Sequence, residues 1–172
     1  GGTLQVLGQT SARINGGTHN ASGGVQVRAT AGLADILSAT VGSTGGDVTV
    51  SGTAATISGG QVDAGGLVGL TASTGNAVVS GATVGAGTDI TLTANAGQTT
   101  VTNGALTAGG DILLQAGTLA QISGGTHRAT SDVVLTATGG AANLAGGAGV
   151  TATNGQVALN GTSAGITGGT VR

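Results

Sequence analysis

The feature that most constrains this chain is a pattern that returns in phase about every 22 residues along its 172-residue length. A pair of aliphatic residues separated by one position begins at Leu4, Val25, Val48, Val68, Ile90, Ile112, Val133 and Val157. A small residue followed two positions later by an aliphatic one begins at Ala12, Ala34, Ala55, Ala77, Thr99, Ala120, Ala142 and Ala164. A third register holds His19, Val41, Val62, Val84, Leu106, His127, Val150 and Val171, usually with alanine or serine two residues on. Within each segment the alternation has period two, which is the mark of a strand with one buried face. Glycine and Asn-Gly pairs such as Gly16-Gly17, Gly59-Gly60, Asn103-Gly104 and Gly124-Gly125 separate the segments and supply corners that need positive φ.

Three strands in a repeat of this length predict one coil of a roughly triangular parallel β-helix. The glycine density and the lack of a 3.6-residue period exclude helices. The predicted fold is therefore all-β, a right-handed parallel β-solenoid of about eight three-strand coils, with right-handedness taken from the general rule for parallel crossovers. Eight coils at ~4.8 Å each make a rod about 38 Å long. No linker or shift of composition interrupts the pattern, so residues 1–172 read as a single repeat domain, a segment of a longer chain or a stacked filament subunit.

Composition follows from that geometry. The chain has 38 glycines and no proline, cysteine, methionine or aromatic residue. Side chains from successive coils stack in a narrow lumen, which valine, isoleucine, leucine and alanine fill at near-crystalline density. Charged residues make up 6% of the chain, against roughly 25% in ordinary soluble domains. Low charge and in-phase aliphatics together exclude a solvated disordered chain. A net charge of −2 gives no reason to expect nucleic acid as a partner. No apolar run approaches the ~20 residues of a membrane-spanning helix, so membrane insertion is not expected. Without an initiator Met or a leader-like segment, the chain reads as a mature product or an excised piece.

Runs such as Gly-Gly-Asp-Val-Thr-Val (45–50), Gly-Thr-Asp-Ile-Thr-Leu-Thr-Ala (87–94) and Ala-Gly-Gly-Asp-Ile-Leu-Leu-Gln-Ala-Gly (108–117) resemble the filamentous haemagglutinin-type repeats of two-partner-secretion exoproteins, a family of adhesins and haemolysins. The resemblance extends over all eight coils. It implies a right-handed β-helical shaft displayed outside a Gram-negative cell. The Asn-Pro motif of that family's secretion domain has no counterpart here, because the chain lacks proline.

Several residues are candidates for chemistry. Asp47, Asp89, Asp111 and Asp132 each precede the first inward aliphatic of a coil. Asp89, Asp111 and Asp132 fall in consecutive coils, so they stack ~4.8 Å apart and repel by roughly 3 kcal/mol at an effective dielectric near 20. A hard cation such as calcium would relieve this, as would hydrogen bonds from backbone N–H groups at the glycine corner. His19 and His127 occupy the third register five coils apart, about 24 Å, too far to share a metal. They read as neutral histidines with one hydrogen bond each. Arg13 and Asp35, outward in adjacent coils, predict a cross-strand ion pair. Leu113, Val134 and Ala158 form an outward apolar stripe and the best candidate for a contact surface.

No serine or threonine has a histidine and a carboxylate at credible positions beside it, and no aromatic residue is present to grip a sugar. The chain therefore reads as non-enzymatic, with no catalytic residues and no cofactor. The sequons Asn20-Ala-Ser22 and Asn160-Gly-Thr162 are expected by chance in so Asn-, Ser- and Thr-rich a sequence. Ice binding needs a regular outward threonine ladder, and the first strand's outward positions, Gln5, Gln26, Thr49, Gly69, Thr91, Leu113, Val134 and Ala158, break it. Two functions remain: an extracellular adhesin shaft meeting host or neighbouring cells, or a structural filament whose copies stack end to end.

Overall fold

The computed structural model of the chain describes residues 2–172. Its strands assemble into three parallel sheets of eight, each sheet taking every third strand in sequence order. A representative coil is Ile112–Ala116, Leu119–Ser123 and Thr126–Ala129, which lie on the first, second and third sheets respectively. The described residues contain no helix.

Register follows the sequence pattern. Val68 pairs with Val48 below and Ile90 above, Ala77 with Ala55 and Thr99, and Val84 with Val62 and Leu106. Every predicted inward position thus stands over its equivalent, and from Val25 to Val150 these columns form one continuous buried core. Pairing small with large at neighbouring positions, as in Ala55 beside Ile57, lets the three walls approach without voids.

The lumen holds more than the six side chains per coil that the pattern implies. Ala29, Ala72, Ala94, Ala116 and Ala137 form a further buried column at the end of the first sheet's strands, continued by Gly8 and Gly52. The first strand simply runs one more period-two step before the corner. Only alanine or glycine fits there, which accounts for the small residue closing each of those strands.

The corner between second and third sheets turns through a positive-φ residue in every coil: Gly16, Ser38, Gly59, Gly81, Asn103, Gly124, Gly146 and Gly168. At the Asn103-Gly104 pair it is the asparagine that enters the left-handed region, at φ 51°. Asparagine tolerates that region better than most residues. Ser38 does the same at φ 49° with no glycine beside it.

One lumen position departs from the apolar rule. Thr99 stands between Ala77 and Ala120, fully buried, and its hydroxyl has no hydrogen-bond partner. A buried hydroxyl left unpaired costs about 1–3 kcal/mol. Replacing Thr99 with valine, which keeps the shape, is expected to raise stability by about 1 kcal/mol and to move the urea midpoint upward. An unchanged or lower midpoint would mean that the hydroxyl finds a partner in solution.

Candidate functional site

The aspartate ladder lies at the corner between the third and first sheets. Asp89 accepts the main-chain N–H of Asp111 at 2.8 Å, and Asp111 accepts that of Asp132 at 2.9 Å. Asp132 accepts the N–H of Gln156, and Asp47 that of Leu67, both at 2.8 Å. In each case one Oδ1 serves the equivalent residue one coil further on. The chain is turning there, and the N–H that points back along the stack meets a carboxylate in place of a strand carbonyl. Asn76 plays the same part for Gln98 at the next corner, 3.0 Å away.

These carboxylates also explain part of the glycine pattern. A Cβ on Gly66, Gly110 or Gly155 would run into the carboxylate of Asp47, Asp89 or Asp132 respectively. At these three corners the aspartate of one coil requires glycine in the next, whereas Ser131 holds the equivalent place above Asp111. Among the described residues no three His, Cys, Asp or Glu side chains converge to hold a metal ion. The geometry gives Asp89, Asp111 and Asp132 a backbone-capping task. Asp111→Asn keeps the acceptor and is expected to change stability by less than ~0.5 kcal/mol, whereas Asp111→Ala costs about 1–2 kcal/mol. Thermal midpoints of all three proteins in calcium and in chelator test this, and a calcium-dependent rise confined to the parent chain would show that the ladder also holds a cation.

The two histidines point into the lumen. Nε2 of His127 lies 2.9 Å from the Gly124 carbonyl, and Nε2 of His19 lies 2.9 Å from that of Gly16. A carbonyl only accepts, so Nε2 carries the proton in each. His127 is fully buried between Leu106 and Val150, and its Nδ1 has no partner. Burial pushes the pKa of His127 down, opposed by the hydrogen bond to Gly124. The unfolded chain therefore binds a proton that the folded chain resists. Stability conferred at this site is complete above the ordinary histidine pKa of about 6.5 and is lost as pH falls below it, with a slope of at most about 1.4 kcal/mol per pH unit. Replacing His127 with valine should flatten unfolding free energy between about pH 6.5 and 5. Equal slopes for the two proteins would show that His127 titrates normally in the fold.

Arg13 Nε donates to both carboxylate oxygens of Asp35, at 2.9 and 3.0 Å. The hydrogen bond to Asp35, then its charge, pushes the guanidinium pKa up. Asp35 points outward as expected yet is buried, while Arg13 stays exposed. The pair straps the first coil to the second and faces no cleft. Leu113, Val134 and Ala158 do stack in register on the first sheet's outer surface, each half-buried.

A second outward column on the same sheet escaped the sequence reading: Arg28, Ser51, Thr71, Thr93, Gln115 and Thr136. It stands beside the buried alanine column, with the corner residues Thr30, Ser73, Asn95 and Thr138 next to it. A shallow trough lies between the column and those corner residues. Two depressions of about 320 and 300 Å³ lie along it, the first from Gln26 to Ser73 and the second from Thr93 to Thr138. Thr71 of the first pairs with Thr93 of the second. The signal was present in sequence, two residues beyond the outward position that was read, but concavity depends on the alanine column.

The architecture defines the class: a parallel β-solenoid of stacked three-strand coils. Comparison with protein-family models, curated proteins and solved structures returned no match.

Proposed function

We propose that this chain is a non-enzymatic, extracellular scaffold, a stretch of β-helical shaft of the kind found in filamentous haemagglutinin-type bacterial adhesins. The observation that carries the reading is the uninterrupted stacking of all three sheets over eight coils. No inserted loop or subdomain breaks the repeat, so the coils offer length, rigidity and repeated surface. Low charge and a hydroxyl-rich exterior suit a surface exposed to varied ionic conditions. The aspartate-glycine corners echo the runs on which the family resemblance rests. On this reading the partners are surfaces of host or neighbouring cells, and the localisation is the exterior of a Gram-negative cell.

The test is antibody labelling of intact producing cells with serum raised against this segment. Labelling without permeabilisation is expected. Labelling only after permeabilisation would overturn an extracellular role.

The alternative, a filament of copies stacked end to end, draws on the last coil. There the lumen residues Ile166 and Val171 are 55% and 39% exposed, whereas their counterparts Leu144 and Val150 are buried. A further coil in the same register would cover them, whether from a continuing chain or from another copy. Electron microscopy over a concentration series separates these: fibres that lengthen with concentration favour the filament, and discrete rods about 38 Å long favour the shaft.

A further inference from the structure

We propose that the axial trough on the first sheet binds a neutral, linear polysaccharide lying parallel to the solenoid axis. Three properties of the trough point to that ligand. Its polar groups repeat once per coil, so hydroxyl and amide side chains at Thr71, Thr93, Gln115 and Thr136 present donors and acceptors every ~4.8 Å. An extended β-linked pyranose chain advances by slightly more than one strand spacing per sugar, so several consecutive sugars can meet consecutive coils in nearly the same way. A peptide strand, rising about 3.3 Å per residue, drifts out of step within two coils.

The second property is charge. No carboxylate lines either depression, and Arg28 at the far end is the only charged group. A uronate or sulfated polymer would find no countercharge along most of the trough, whereas a neutral glycan needs none.

The third is availability. Thr138 returns its hydroxyl to the carbonyls of Ala116 and Gly117, but the side chains of Thr93, Gln115 and Thr136 make no hydrogen bond among the described residues. Their donors are free to meet a ligand without breaking an internal bond. The sheet is already ordered, so little conformational freedom is lost on binding. With no aromatic residue to stack on a ring, each sugar contributes little, and affinity accumulates with chain length.

This proposal is independent of the scaffold reading, since a trough that binds glycan can be tested wherever the chain resides. The experiment is calorimetric titration of the purified 172-residue chain with neutral oligosaccharides of two to eight units, from the cello-, malto-, xylo- and chito- series. At least one series is expected to bind, with affinity rising to about six units, because the column from Arg28 to Thr136 spans six coils at one sugar per coil. The variant Thr93→Ala/Gln115→Ala/Thr136→Ala is expected to weaken binding at least tenfold. A control variant on the second sheet's outer surface, Thr100→Ala/Gln121→Ala, is expected to leave binding unchanged, and circular dichroism checks that both variants keep the fold. No binding of any octasaccharide at millimolar concentration overturns the proposal. So does binding that both variants retain, or binding confined to acidic glycans and abolished by salt.

Discussion

Truncating Leu114 to alanine is expected to lower the free energy of unfolding by about 2–5 kcal/mol, while the same change at Leu113 costs no more than about 1 kcal/mol. The two residues are neighbours on one strand, with opposite directions. Leu114 is completely buried in a column with Leu92 and Leu135. Leu113 stands on the outer surface between Thr91 and Val134, half-exposed. Truncation at Leu114 removes the transfer energy of the side chain and leaves a cavity. Coils above and below are held at fixed spacing by their backbone ladders, so the walls cannot close on the space. The site thus belongs toward the costly end of large-to-small substitutions. Urea unfolding followed by circular dichroism measures both variants. Equal losses at the two positions would refute the inward–outward assignment, and with it the register of the whole first sheet.

That assignment was legible in the sequence because period-two alternation and the near-constant coil length fix direction and stacking together. Columns from Leu4 to Val157 and from Ala12 to Ala164 are all paired as the spacing requires. What escaped detection has a common physical cause: it depends on relations between coils at corners, where alternation stops. The alanine column from Ala29 to Ala137 lies one step past the recognisable motif. The link between Asp89 and Gly110 joins residues with no resemblance to each other, through a carboxylate that occupies the space of a side chain. The outward column through Thr93 and Gln115 is chemically mixed, and only its place beside the corner residues Asn95 and Thr138 makes it one wall of a trough. Asp35 was correctly given an outward direction, but direction alone does not fix burial, and Arg13 lies against it.

The corner glycines allow a sharper test of how backbone and stacking divide the cost of a side chain. Gly81→Ala and Gly125→Ala both place a methyl group on a residue with positive φ, 60° and 80° respectively. A Cβ on Gly81 meets nothing within 4 Å, so that variant bears only the conformational cost, about 1–2 kcal/mol. A Cβ on Gly125 falls onto the carbonyl oxygen of Gly104 in the coil beneath, a backbone atom that cannot rotate away. The strand beginning at Thr126 must lift off the stack, taking His127 from the Gly124 carbonyl it holds. The expected loss is about 3 kcal/mol or more. At about 2–4 °C per kcal/mol for a chain of this size, the melting temperature should fall by roughly 6 °C or more for Gly125→Ala and less for Gly81→Ala. Similar falls would mean that left-handed backbone strain alone dictates glycine at these corners. A wide gap would mean that glycine at position 125 is set by the coil below it, and that the repeat is specified as much by contacts between coils as by the conformation within one.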